Sequence, residues 1–255
     1  MILLSFDTDH LNEARMEEFL ASVSWPGSAT FFCTQVYRCL GRTEYELAPH
    51  PLLTGNNEWL TELKAKRAQL PNALGWRSHS CVFSHTLAEW ISCNGYAYVS
   101  THDSFGERGI KPTRHLWGVW HVPIYYMDNL DFSRRRFAPE REEKPFDRSR
   151  IETACSPDGY YVFDFHPIHL MLNTPDPDWY ALRRAQFLAG EKLASIRHEG
   201  YGARSFFDEL VGAMKVQSLN SASIIQGLST FLGETPRPRF VQNLPYSFDE
   251  NRLGL

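Results

Sequence analysis

A chain of 255 residues fits one large α/β domain or two small ones, and 43% hydrophobic with 14% aromatic residues can fill a sizeable core, which excludes disorder. The formal net charge of −4 argues against a partner held by phosphate attraction, so no nucleic acid is expected. Apolar runs fall short of the roughly 20 residues a membrane span needs, and the N-terminal run breaks at Ser5 without a basic region, so neither a span nor a signal peptide is expected. The five cysteines, Cys33, Cys39, Cys81, Cys93 and Cys155, lack CxxC spacing and read as reduced thiols of a cytoplasmic protein.

Ile2, Leu3, Leu4 and Phe6 read as a buried parallel strand that stops on Asp7-Thr8-Asp9-His10. Two acids and an imidazole there suit a divalent metal with a neighbouring base; alternatively, Asp9 or Asn12 caps the helix that follows. Leu11, Met16, Phe19, Leu20 and Val23 give that helix over 12–23, ended by Trp25-Pro26-Gly27. A second strand is expected at 29–33 and a third at 44–48, the latter delivering Pro49-His50-Pro51. A helix at 57–70 leads to a fourth strand over 74–80, which carries Arg77 and His79. Thr86-x-x-Glu89 reads as a capping box, and the fifth strand is 96–100. Residues 116–126 form a sixth strand region with Asp128 beyond it, and 131–150 read as a charged surface excursion or lid. The seventh strand, 160–165, exits at His166, and helices follow at 178–196, 205–216 and 221–232. The repeated alternation predicts a single domain over 1–255, an α/β fold built as a distorted (β/α)7 TIM-like barrel.

Asp7, Asp9, His50, Arg77, His79, Asp128 and His166 all fall just after the apolar part of a predicted strand. In a barrel those ends converge on one face. Of the other histidines, His10, His102, His121 and His169 are candidates for supporting contacts, whereas His85, His115 and His198 read as ordinary.

These segments resemble polysaccharide deacetylases of the NodB-homology type, carbohydrate esterase family 4, over about residues 1–175. SFDTD resembles the family's first motif, which implies Asp7 as general base and Asp9 as metal ligand. ATFF at Ala29 resembles its second strand, and ELAPHP the segment leading to the metal-binding His50. GWRSHS followed by Asn94-Gly95-Tyr96 resembles the arginine motif, HVPIYYMD the strand supplying an orienting acid, Asp128, and FDFHPIHL the motif of the general acid, His166. The family places a second histidine ligand one helical turn beyond the first, where this chain has Thr54, a poor ligand. His79 is the expected replacement, with His10 as another candidate.

The resemblance implies a metal-dependent deacetylase, with zinc the expected divalent metal. It would remove an N-acetyl or other N-acyl group from an amino sugar in surface polysaccharide or O-antigen biosynthesis. The carbohydrate substrate would be nucleotide- or lipid-linked. Trp76, Trp117, Trp120 and Tyr125 are candidates to stack on a sugar ring. Thr54 motivates the alternative of an inactive NodB-like carbohydrate-binding protein.

Overall fold

The computed structural model describes residues 1–53, 58–137 and 144–238. Thr54, on which the alternative reading turns, lies outside them. The N-terminal half runs β1 (Ile2–Asp7), α1 (Glu13–Ser22), β2 (Thr30–Cys33), β3 (Glu46–Pro49), α2 (Trp59–Gln69), β4 (Gly75–Trp76), α3 (His85–Cys93) and β5 (Tyr98–Val99). Next come β6 (Thr113–Arg114), β7 (Trp120–His121), β8 (Ile124–Met127), α4 (Asp128–Phe137), α5 (Ser149–Ala154) and β9 (Tyr161–Phe165). The chain then turns helical, through α6 (Pro167–Leu172), α7 (Pro177–Leu188), α8 (Leu193–Ile196), α9 (Ala203–Val216) and α10 (Ile224–Leu232).

The fold is α/β. Five strands form one parallel sheet in the order β3-β2-β1-β9-β8, and a second sheet runs β4-β5-β7-β6 with only the β6–β7 pair antiparallel. The expected strands at 74–80 and 116–126 are shorter than the apolar runs suggest. After Trp76 the first of them breaks into a turn in which Ser80 and Cys81 take φ of 56° and 53°.

Side chains alternate along each strand, as the two-residue period demands. Phe6, Phe31 and Phe165 point outward into the helical layer, with Phe165 packing edge-on against Phe207 of α9 at 5.0 Å. Leu3, Phe32, Ala48, Tyr98 and Val162 point the other way and meet Ile224 and Leu228 of α10. That helix covers the N-terminal ends of the strands, where Leu4 N–H donates to Ala222 O at 3.1 Å. Half-buried Glu46 ties it down by accepting from Thr30 (2.6 Å), Tyr98 (2.6 Å) and the backbone N–H of Ile225 (2.9 Å). Gly75 leaves the room for Tyr98, because a Cβ there would lie 2.2 Å from the tyrosine ring.

Three local expectations are corrected. The cap of α3 is Ser84, whose backbone is extended and whose Oγ accepts from Leu87 N–H at 3.1 Å, so Thr86 lies within the first turn and opens no capping box. The charged stretch 131–150 is only partly a surface excursion: Asp131, Phe132, Phe146 and Arg150 are buried. Asp131 accepts the Phe146 N–H at 2.6 Å, and the Arg150 guanidinium lies 4.2 Å from the Phe105 ring centroid, so these two charges are packed rather than solvated, whereas Lys144 and Arg148 are exposed and 138–143 lie outside the described residues. The helix expected at 178–196 is two helices, α7 and α8, separated by Gly190 with φ of 84°.

Candidate active site

The carboxyl ends of β1, β3, β4, β8 and β9 bring together Asp7, Asp9, His50, Arg77, His79, Asp128 and His166. Asp7 ends β1, and Thr8 and Asp9 continue it. Thr8 N–H donates to Phe32 O at 3.1 Å and Thr8 Oγ1 accepts Thr34 N–H at 3.0 Å, which holds the two acids over the strand ends. The chain then turns at His10 with φ of 62°. This points the His10 ring at Arg184, 3.2 Å away, so it takes no part in the cluster that Asp9 forms.

That cluster is Asp9, His50 and His79, whose ligand atoms lie within 4.8 Å of one another. His50 follows β3 and is buried. Its Nδ1–H donates to the Arg77 carbonyl at 3.1 Å, which fixes the tautomer and leaves the Nε2 lone pair facing Asp9. His50 Nε2 and Asp9 Oδ2 are 3.3 Å apart, and each is a buried atom without a hydrogen-bond partner. Two orphaned donor atoms aimed at one point fit a divalent ion in place of a proton. His79 reaches the same carboxyl through Nδ1, 3.1 Å from Asp9 Oδ1, and is the more exposed member. Its turn is anchored by the His79 N–H, which donates to Pro51 O at 3.0 Å. Burial raises the Asp9 pKa, but the close approach of the His50 and His79 rings outweighs it and the net shift is downward.

Asp7 stands beside this cluster. Arg77 Nη1 donates to its Oδ1 at 2.8 Å, and its Oδ2 faces His50 Nε2 at 3.7 Å. Burial would raise the Asp7 pKa, but Arg77, then His50 and His166, reverse the sign and keep it ionised. Across the site, His166 follows β9. Asp128 holds it twice: Oδ2 accepts the His166 backbone N–H at 2.9 Å and Oδ1 accepts Nδ1–H at 2.8 Å. Burial lowers the His166 pKa, yet Asp128 more than offsets it and the ring is pushed up to about 10. Asp7, Asp9 and His166 also have ligand atoms within 4.8 Å of one another. An ionised acid and a protonated imidazole therefore flank the orphaned pair.

Of the expected supporting histidines, His169 stands beside His166, its ring 5.4 Å from that of His166; burial drops its pKa to about 3. His102 and His121 belong elsewhere: His121 packs with Phe83 (4.8 Å) and with His115 (5.3 Å). Several groups were missed. Asp164 and Ser5 both contact Arg77, Ser100 takes two of its N–H groups, and Asn129 Nδ2 lies 3.3 Å from His166 Nε2. Of the aromatics expected to meet a sugar, Trp76 and Tyr125 are only 1% exposed, and Trp120 packs edge-on against Phe231 of α10 at 5.9 Å. A cleft of about 520 Å³ opens over Asp9, His50 and His79, and Trp59 of α2 lines it.

The family model for the WbmS-like polysaccharide deacetylases matches residues 4–184, a span that takes in every residue from Asp7 to His166 named above. The chain belongs to the WbmS-like polysaccharide deacetylase family. Membership implies a carbohydrate substrate and hydrolysis of a carbohydrate amide. The chain is similar in fold to WbmS of Bordetella bronchiseptica, a protein assigned as a polysaccharide deacetylase involved in O-antigen biosynthesis. The TM-score is 0.68 at 23% identity, covering 83% of this chain and 89% of that one. Two more distant likenesses are a 4-alpha-glucanotransferase from Thermococcus litoralis (TM-score 0.48, 13% identity, 92% of this chain and 38% of that one) and an assigned polysaccharide deacetylase from Mycobacterium smegmatis (0.44, 16%, 86% and 91%). No curated protein matches the sequence significantly. No helix among the described residues is long and apolar enough to cross a membrane.

Proposed function

We propose that this WbmS-like chain is a metal-dependent deacetylase that removes an N-acetyl, or another N-acyl, group from an amino sugar. The observation that carries the reading is the pair Asp7 and His166. Their environments push their pKa values in opposite directions, and they stand on either side of the Asp9–His50–His79 group. Such a split assigns base and acid roles within one site.

Asp9, His50 and His79 would hold the ion, and two nitrogens with one carboxylate form a donor set that suits catalytic zinc. When bound, a divalent ion supplies Lewis acidity, acidifying water and polarising the acyl carbonyl. Asp7, oriented by Arg77 through Oδ1, takes the proton from the attacking water. His166, held protonated by Asp128, gives its proton to the departing amine, so that water and amide become carboxylic acid and free amino sugar. The cleft of about 520 Å³ has the size of a small-ligand site, and Trp59 is the aromatic residue in its lining.

The same reading extends beyond the site. All five cysteines are free, which favours a reducing compartment, and we place the chain in the cytoplasm acting on a nucleotide- or lipid-linked precursor of O-antigen type. We also read 1–255 as one domain and the two sheets as one distorted seven-stranded barrel. Hydrogen bonds across both seams support this: Arg77 N–H to Pro49 O (3.3 Å) and Ile124 N–H to His102 O (2.8 Å).

The test is metal analysis of purified protein joined to acetate release from a panel of N-acetylated amino sugars, free and nucleotide-linked. Stoichiometric zinc with acetate release abolished in Asp7→Asn is expected. Sugar binding by a protein that holds no metal and releases no acetate would move the assignment to the carbohydrate-binding alternative.

A further inference from the structure

Asp164 takes no part in the reaction as proposed, yet it lies at the centre of the polar group beneath it. It sits on β9 two residues before His166 and directly beside Ser5 in the β1–β9 register. Its side chain is fully buried. One oxygen, Oδ1, accepts the Ser5 Oγ–H at 2.6 Å and an N–H of Arg77 Nη1. The other, Oδ2, is buried without a hydrogen-bond partner. A buried acid is costly to keep, and one step earlier on the same face the two strands carry apolar residues, Leu3 and Val162.

Arg77 explains what the acid holds. Its Nε–H donates to Ser100 O at 2.6 Å and Nη2 to Ser100 Oγ at 2.8 Å, while the guanidinium lies 4.0 Å above the centroid of the Phe32 ring. Nη1 is shared among Ser5 Oγ at 3.2 Å, Asp7 Oδ1 at 2.8 Å and Asp164 Oδ1. A guanidinium left free would grip a carboxylate with two parallel N–H groups. Here Ser100 occupies one side of the fork, and Asp164 with Ser5 pins the remaining nitrogen.

We propose that Asp164 is a positioning residue: with Ser5 it anchors Arg77 so that the guanidinium holds Asp7 by Oδ1 alone and leaves Oδ2 free. The inference rests on the reading of Asp7 as the base. Burial, with Asp7 adding and Arg77 opposing, raises the Asp164 pKa. An asparagine at this position keeps a side-chain oxygen that can accept from Arg77 as Asp164 Oδ1 does.

The test compares Asp164→Asn, which keeps that acceptor, with Asp164→Leu, which fills the space without one. On the N-acetylated amino sugar that gives most acetate in the panel, the Leu variant should lose about 10- to 100-fold in kcat. Its KM and zinc content should stay at parental levels, and the Asn variant should recover most of the rate. A Leu variant at parental kcat, or an Asn variant as slow as the Leu variant, overturns the proposal. The Arg77 Nε–H signal in a nitrogen–proton NMR spectrum reads the anchor without substrate. It should shift and exchange faster in the Leu variant and stay in place in the Asn variant; an unmoved signal in the Leu variant also overturns the proposal. A moved signal in a parent that releases no acetate supports the anchor and sinks only the deacetylase reading. Ser5→Ala removes one hydroxyl from the same anchor and should move the signal in the same direction, which keeps the test open if the Leu variant does not fold.

Discussion

Replacing Asp128 with asparagine should flatten the alkaline pH dependence of stability in the metal-stripped protein. Both Asp128 oxygens accept from His166, at 2.9 Å from the backbone and 2.8 Å from Nδ1. The His166 pKa rises from 6.5 to about 10, although burial alone would lower it. A histidine with a raised folded-state pKa contributes stability that is fully present below its unfolded value near 6.5 and is lost as pH rises through about 10. At 1.36 kcal/mol per unit, the full effect is on the order of 5 kcal/mol. Asp164 is raised from 3.8 to about 7, so its own loss falls at lower pH, and the thiols of Cys33, Cys39 and Cys81, raised by burial, add a loss from about pH 9 upward that parent and variant share. His50 is raised in the same sense, after burial is overcome by Asp7 and Asp9, but it contributes to parent and variant alike. An asparagine offers one acceptor where two are needed, so burial then dominates and the His166 pKa falls. Urea denaturation from pH 6.5 to 10.5 should show the parent losing several kcal/mol more than the variant, with the gap between them closing as pH rises. A parent whose stability is flat or rising between pH 7 and 10, or a variant with the parental slope, would refute the reasoning.

Asp7→Asn should lower acetate release by about 10²- to 10⁴-fold with metal content and melting temperature near parental; substantial turnover would remove Asp7 from the base's role. His50→Ala should abolish tight zinc binding in a competition titration, and His79→Ala should weaken it less, since its side chain is 36% exposed and water can replace it. Unchanged affinity in His79→Ala would shift the ligand set to Asp9, His50 and His166. Gly27→Ala should destabilise by more than about 1 kcal/mol in a thermal melt, because φ is +99° and the new Cβ would lie 2.2 Å from Ser221 O. Limited trypsin digestion should release no stable fragment cut near residue 100, because β5 lies between β4 and β7 in one sheet; such a fragment would argue against a single domain.

What the sequence disclosed follows the strength of each local signal. Polar residues directly after apolar strand runs located Asp7, Asp9, His50, Arg77, His79, Asp128 and His166, since a charge at a buried strand end has few other uses. Strand lengths were less legible. The run at 116–126 is continuously apolar or aromatic, but Gly118 takes φ of 86° and the ladder is split between β7 and β8. The cap of α3 was misplaced because Thr86 and Glu89 match a spacing that Ser84 satisfies in the fold with its own Oγ. Burial of Asp131 and Arg150 was hidden by the density of charge around them, which by composition reads as solvated. Pairing between residues 19 apart is a tertiary fact. Their 3.5 Å contact arises only once α4 and α5 pack together.

The missed residues were visible in an alternation that a reading by strand tips passes over. Ser5-Phe6-Asp7 and Asp164-Phe165-His166 carry the same pattern, polar–Phe–polar, and the register pairs Ser5 with Asp164 and Phe6 with Phe165. With a period of two, both phenylalanines must go to the helical face, where they meet Phe207, and all four polar groups to the other. Arg77 and His79 share the same spacing after β4. A polar position one step inside an apolar run therefore marks a second layer beneath the reacting groups. Ser5, Asp164, Ser100 and the Arg77 guanidinium make up that lower layer, linked by hydrogen bonds, and Asp7, His50 and His166 stand above it. The lower layer is fully buried, so its substitutions reach the cleft through Arg77 and Asp7 and through the charge Asp164 exerts on His166. Loss of rate without loss of metal is the expected signature of the lower layer, and loss of metal that of Asp9, His50 and His79.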